Sequence, residues 1–548
     1  VRRLRYADGA IGTKLLAYAL FALLVAVPIG WFFARALGGL PASTIAATAV
    51  ETLGSPRLRS ALAFSTGQAL LSAVLAVLIA LPAAYLFSHY DFPGKRAALS
   101  LTLVPFVLPS IIVVIGIISF YGNNGVINRL LGARFNFVYN FGGIVLAHVF
   151  YNFSLAIRII ADGWQRLDQR QEEAAAGLGD RPTAIFLRVT LPLLLPSILT
   201  AFVLVFVYCF LSFGIVLVFG GAQFATLEVL IYRETYINLD LPDAAGIAAV
   251  QLLLSGLLIF TLTRVIGRSG VFRGTGARFV VRPFRSAAPI TRIILGGYAA
   301  VLAVFLLGPL VGLIARSFAD GGALSLENYR ALFNPELSAR DVESIIRSSV
   351  PGVILRSIGL ALLSGTVTFV GAVLLAFSLR GRNTGASETI FQLPIGISTV
   401  TLAIGLRLSF GDLLPDLLVV VMGQVFITFP LVFRIVKTAV LDLPPDYLHS
   451  AESLGSSPFE ALLRVGVPVL KRGLLNGYAY SLAIPFADFT IVLAATRGGL
   501  ATFPVAIYRL IGFRSFDLAL SMSCIYIAIC LGLFLWIDTT SQRRRHRQ

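Results

Sequence analysis

Uncharged apolar runs of about 20 residues, the length of helix that crosses a bilayer core of about 30 Å, recur along this chain from Leu15 to Trp536. No soluble core has room for so many. Over 548 residues the composition is 57% hydrophobic and 13% charged, with a mean hydropathy of +0.87, outside the range of soluble globular domains. A membrane β-barrel would show alternation over segments of about ten residues instead. The pattern predicts an all-α integral membrane protein of about twelve transmembrane helices. Six spans fall near 15–36, 61–87, 98–120, 140–161, 194–219 and 244–266. Six more fall near 293–315, 354–379, 389–411, 413–436, 474–496 and 517–537.

The polar stretch 163–192, GWQRLDQRQEEAAAGLGDRPTAIFLRVTLP, interrupts the apolar pattern and is too charged to span a membrane. Asp168 to Leu178 is a strong helix former, Gly179 supplies a backbone free to turn at the C-cap, and Asp180 can start a second helix. The stretch returns. In 443–468, Gly455 and Pro468 each stand 276 positions after Gly179 and Pro192. The offset then holds without a gap, pairing Phe213, Ile215, Val216 and Leu217 with Phe489, Ile491, Val492 and Leu493. Ala225-Thr226 and Tyr232-Arg233 likewise pair with Ala501-Thr502 and Tyr508-Arg509. Solenoid repeats have periods up to about 50 residues, so this is a whole domain used twice. The expected organisation is a first transmembrane domain at 1–266 with a polar loop at 163–192, and a basic linker at 267–292. A second transmembrane domain follows at 293–548, with its polar loop at 439–468.

Glu173, Ala174 and Ala175, followed by Gly179 and then Val189 to Pro192, resemble the EAA loop of ABC importer permeases. The resemblance implies a cytosolic helix-turn-helix whose first helix seats in a groove on an ATPase subunit. Glu173, Ala174, Ala175 and Gly179 are then the ATPase-coupling residues, with Ser450, Ala451 and Gly455 in the second copy. That copy is degenerate, having His449 and Ser450 in place of Glu173 and Ala174.

The net charge of +17 would suggest nucleic acid in a soluble protein, but here the basic residues collect in alternate loops. With the N-terminus inside, most Lys and Arg lie on the cytoplasmic side. The densest cluster, Arg264 to Arg292, joins the halves and anchors topology, as does the tail Arg543, Arg544, Arg545 and Arg547. An even number of spans per half makes the copies parallel repeats, with a pathway expected between them near the midplane. Arg2, Arg3, Arg5 and Lys14 before the first apolar run imitate a signal peptide, but the run is long enough for an uncleaved span. The segment Ser317 to Pro351 is expected to form short surface helices. Cys209, Cys524 and Cys530 sit in apolar runs with no metal or redox spacing, so neither a disulfide nor a metal site is expected.

Polar groups inside spans are costly and become functional candidates, although many only tie helices together. His148 and Asn152 lie four apart on one helix face. The offset of 276 gives them Gln424 and Thr428 as counterparts, and pairs Arg158 with Arg434. Asp488, whose counterpart is Ser212, needs a partner, a wet cavity or a cationic substrate. These five, His148, Asn152, Gln424, Thr428 and Asp488, are the candidate pathway residues, with interhelical bonding or helix capping as the alternative role. Glu228 and Arg407 are expected at the interface.

No phosphate-binding loop or familiar catalytic motif occurs, so the chain is expected to be no enzyme and to hold no cofactor. Double-length permeases resembling this chain serve mainly thiamine, iron(III) and phosphonate importers. YGNNGVINRLLG at 121–132, GGIVLAHVFYNFSLAIRII at 142–160 and FADF at 486–489 with the stretch 502–523 are similar to thiamine permeases. This implies a bacterial inner-membrane permease with cytoplasmic termini, importing thiamine or its phosphates by alternating access. Its implied partners are two copies of a cytoplasmic ATPase subunit that binds MgATP, a periplasmic substrate-binding protein and membrane lipid, without nucleic acid. An iron(III) permease is the alternative within the class. An ion-coupled secondary carrier using His148 and Asp488 is the alternative outside it.

Overall fold

A computed structural model describes residues 25–102, 104–132, 138–221, 223–268, 280–320, 323–334, 342–379, 396–441 and 443–542. The described chain is helical nearly throughout. The only strand pairs among the described residues are two short bridges, Tyr90–Asp91 with Arg282–Pro283 and Ala319–Asp320 with Ala323–Leu324. Among the described residues eight helices are long and apolar enough to cross a membrane, or up to ten if each of two bent pairs is one span. Each of the twelve expected spans meets a helix within its described residues; 15–24 of the first, Leu103 of the third and 389–395 of the ninth lie outside them.

Several spans are not the straight rods the hydropathy suggests. The first ends at Leu37, and a separate helix, Ala42–Gly54, follows with Pro41 as its N-cap. The third is broken at Pro109, which cannot donate within a helix and instead caps Ser110–Tyr121. The span expected at 194–219 begins earlier, since Pro182–Phe210 is one candidate span, and it stops at Leu211 before resuming as Gly214–Phe219. Its repeat copy breaks at the matching place, Gly473–Ala487 bending by 48° into Thr490–Thr496. Backbone groups freed by such a break must find partners inside the protein. Thr226 Oγ1 accordingly donates to the Ser212 carbonyl at 2.8 Å, and Asp488 accepts the Ile491 N–H at 3.2 Å. Short helices Leu227–Tyr236 and Phe503–Gly512, 276 positions apart, fill stretches the spans left unassigned. The segment after Ser317 does form short helices, Glu327–Phe333 and Val342–Ile346.

Two compact units result, and their bounds differ from the sequence halves. One comprises Pro41–Leu324, the other Val1–Leu40 with Ser325–Gln548. In the first unit, Pro56–His89, Phe141–Gln165 and Leu191–Phe210 pack together, and Pro289–Ser317 lies on Ser110–Tyr121. A Cβ on Gly116 would come within 3.3 Å of the Pro309 carbonyl oxygen. In the second unit, Val350–Ser378, Asp416–Leu441 and Lys471–Ala487 pack in the same way. There Val25–Leu37 approaches Thr399–Phe410 so closely that a Cβ on Gly405 would stand 2.4 Å from the Pro28 carbonyl oxygen. Each unit therefore takes its leading helix from the other half of the sequence.

Candidate functional site

The first polar loop folds as a helix, a tight turn and a second helix. Asp168 caps Gln169–Gly177 by accepting the Arg170 N–H at 3.1 Å. At the other end the Gly179 N–H donates to the Ala176 carbonyl at 3.0 Å and the Asp180 N–H to the Ala175 carbonyl at 3.2 Å. This nested pair requires a left-handed residue near its end, and Gly179 has φ +89°. Since a Cβ there would meet nothing within 4 Å, conformation alone demands the glycine. Asp180 does not start the second helix as expected. Its amide closes the turn, and Arg181 is the N-cap before Pro182, without a side-chain bond.

The second loop reaches the same turn from a degenerate sequence. The Leu454 N–H donates to the Ser450 carbonyl and the Ser456 N–H to the Ala451 carbonyl, each at 3.1 Å, around Gly455 at φ +97°. Its following helix is better capped. The Ser457 N–H donates to Glu460 Oε2 at 3.1 Å, and the Glu460 N–H donates back to Ser457 Oγ at 3.3 Å, a reciprocal capping box. Both loops enter the membrane helix through a π-helical turn, Phe186–Thr190 and Leu462–Gly466. Pro192 and Pro468 follow within two residues of these turns, where a proline cannot complete the normal i−4 bond.

What the two tips offer is alike. Leu178 and Leu454, just before the glycines, are each 88% exposed. Glu173, Ala174, Gly179, Ser450 and Gly455 are exposed, Ala451 is half-buried and Ala175 is buried. The side chain of His449 lies outside the described set. An exposed leucine beside a rigid turn, with small residues behind it, is a shape that a complementary groove can receive.

The membrane candidates form one polar cluster in each half. In the first, Asn152 Nδ2 donates to the His148 carbonyl at 3.0 Å and to Cys209 Sγ at 3.5 Å, while Gln68 Nε2 donates to the Cys209 carbonyl at 2.8 Å. His148 is 1% exposed, and neither ring nitrogen has a partner among the described residues. In the second, Ser364 Oγ donates to Gln424 Oε1 at 2.8 Å, and Gln424 Nε2 donates to the Pro485 carbonyl and to Asp488 Oδ2, each at 3.2 Å. Asp488 therefore holds Gln424 with one oxygen and the start of Thr490–Thr496 with the other. Thr428 is buried nearby on the same helix face as Gln424, its hydroxyl without a partner among the described residues. Every bond made here lies within one unit, and all but the Asn152–His148 bond, which stays inside Phe141–Gln165, join one helical segment to another.

Sequence reasoning missed Gln68 and Ser364, although the tetrapeptide Ala-Leu-Leu-Ser at 69–72 and again at 361–364 marks the two helices that carry them, and it read Cys209 only as a cysteine without metal or redox spacing. Arg158 Nη2 donates to the Leu99 carbonyl at 3.1 Å. Glu228, expected at an interface, is fully buried and accepts Gln251 Nε2 at 2.8 Å. Arg407 is partly exposed and pairs with Asp416.

A family model described as "Binding-protein-dependent transport system inner membrane component" matches residues 72–269 and again 368–546. The chain is 27% identical over 495 residues to the thiamine transport system permease protein ThiP of Haemophilus influenzae, covering 88% of both chains. With the protein of the same name from Escherichia coli the identity is 29% over 496 residues, 87% of this chain and 88% of the relative. A probable ABC transporter permease protein, y4fN, of Sinorhizobium fredii is 25% identical over 482 residues, 84% of this chain and 83% of the relative.

Proposed function

This chain belongs to the family of binding-protein-dependent transport system inner membrane components, and on that premise we propose that it forms both membrane halves of an ATP-driven thiamine importer. The observation that carries coupling is the duplicated turn, with Gly179 at φ +89° and Gly455 at φ +97°, each behind an almost fully exposed leucine. Two copies of one ATPase subunit have two like surfaces to engage. The thiamine reading rests on similarity to permeases so named over 88% of their length.

In this reading the polar loops and both termini face the cytoplasm, and a periplasmic binding protein delivers the substrate to the opposite side. ATP draws the ATPase subunits together, the two loop helices follow, and the pathway opens outward. Hydrolysis returns it inward. Such coupling works only if nucleotide, binding protein and substrate each favour a different conformation. His148, Asn152, Gln424, Thr428 and Asp488 are the proposed pathway residues. If the Asp488 carboxylate assists a cationic substrate, Asp488→Asn slows uptake beyond what its loss of stability explains.

The substrate is tested by complementation. Cells lacking thiamine uptake, given this chain with its own ATPase and binding protein, should accumulate labelled thiamine, with excess unlabelled vitamin competing. Accumulation of iron(III) without thiamine uptake would overturn the substrate reading.

A further inference from the structure

The first loop helix is seated beside a cavity of about 490 Å³ within the unit Pro41–Leu324. Its walls combine the rings of Tyr85, His89, Trp164 and Phe186 with the side chains of Glu172 and Glu173. The rings form one continuous cluster, with centroids 4.2 Å apart for Tyr85 and His89, 5.4 Å for Tyr85 and Trp164, and 6.3 Å for Trp164 and Phe186. The Thr190 hydroxyl donates to Glu172 Oε1 at 2.6 Å and fixes that carboxylate in place. Trp164 is only 4% exposed, yet its indole N–H has no acceptor among the described residues. A buried donor left unpaired is costly and calls for an explanation.

The end of the linker closes one side. The Val280 N–H donates to Gln169 Oε1 at 3.1 Å, and Arg282–Pro283 pairs with Tyr90–Asp91. Arg282 is the one cation lining the cavity among the described residues, against two carboxylates.

The fold does not itself require a polar cavity here. By the offset of 276, Val440 stands where the first half has Trp164, and Leu448 where it has Glu172. The shared Ala-Leu-Leu-Ser tetrapeptide likewise places Phe377 opposite Tyr85. Phe377, Val440 and Leu448 pack into one apolar cluster. The second loop is thus seated on hydrophobic core, while at the same place the first keeps aromatic rings, two carboxylates and open volume.

We propose that this cavity binds a small organic cation that combines a quaternary or aromatic centre with a hydrogen-bond acceptor for the Trp164 indole N–H. Aromatic faces attract such a centre through their quadrupoles, and carboxylates supply the countercharge. A ligand there touches both Trp164, at the end of a membrane helix, and Glu172 and Glu173, on the loop helix. Its occupancy therefore biases the position of the first loop helix and not the second. The inference does not depend on what the permease carries.

The test uses the full chain in nanodiscs. Of the three tryptophans, Trp31 and Trp536 are changed to phenylalanine, so that Trp164 alone reports. Titration with choline chloride, whose hydroxyl oxygen can accept from the indole, should alter Trp164 emission saturably in the millimolar range, against sodium chloride of equal strength. The pair Glu172→Gln and Glu173→Gln keeps an acceptor for Thr190 and should raise the half-saturation about tenfold. Calorimetric titration on the otherwise unaltered chain gives a second readout independent of the tryptophan. Absence of saturable binding by both methods, an unchanged half-saturation in the glutamine variant, or saturable binding of phosphate but not of the cation would each overturn the proposal.

Discussion

At Gly179 and Gly455 the backbone is left-handed and nothing crowds the missing side chain, so the cost of a substitution there is conformational and can be ranked. An ordinary residue in this region costs about 1–2 kcal/mol, five- to thirty-fold in the population of the turn, whereas asparagine tolerates it better. ATP-driven uptake by Gly179→Asn, Gly179→Ala and Gly179→Val should therefore fall in that order at equal membrane abundance. Equal uptake by the valine variant and the unaltered chain would remove the turn from the coupling route. Asp488 presents a different residue-scale problem, because its carboxylate accepts from two donors, Gln424 Nε2 and the Ile491 N–H. Asparagine can offer its single oxygen to one of them only. Asp488→Asn should lose about 1–2 kcal/mol of stability and Asp488→Ala more, with Gln424→Ala non-additive by about 0.5–3 kcal/mol. Additive losses in thermal unfolding would show that the two residues do not act together.

Among the elements, the capping box of the second loop gives a pH signature. The Ser457 backbone N–H, then its hydroxyl, then Arg464, hold the Glu460 carboxyl below the usual carboxylate range. A depressed folded-state value means that the stabilisation is complete above the unfolded carboxylate range and is lost as pH falls through the folded value. Amide-exchange protection of Pro458–Ala461, corrected for intrinsic rates, should weaken at acid pH and should be flat in Glu460→Gln, whose amide oxygen can still accept but does not titrate. Identical pH profiles for the two chains would exclude the box. The loop turns were legible in sequence because a glycine, a proline and a helix former at fixed spacing leave few alternatives. The position of the second cap was less legible, since Asp180 is a good cap by composition and only the folded turn commits its amide to Ala175. Broken spans were hidden for a related reason. Hydropathy counts apolar residues along 194–219 without sensing that the chain stops being helical at Leu211, where a carbonyl is taken up by Thr226.

For the molecule as a whole, the sequence repeat and the packed units divide the chain differently. Hydropathy and the offset of 276 concern order along the chain, whereas the leading helices Pro289–Ser317 and Val25–Leu37 pack with the half that does not contain them in sequence. That exchange has no hydropathic signature, and its marks are the close approaches at Gly116 and Gly405. A chain cut within the linker at 269–279 should therefore yield two fragments that accumulate poorly alone, each lacking one helix of its unit, and that recover together when co-expressed. Stable, separately accumulating halves would contradict the exchange. In the proposed function this membrane chain moves substrate only when ATPase subunits work on its two loops. Proteoliposomes containing the chain, its ATPase and externally added binding protein should accumulate labelled thiamine on addition of MgATP. The signal should vanish when any component is omitted and fall with Gly179→Val. Uptake by the chain alone, driven by an ion gradient without ATP, would contradict the account.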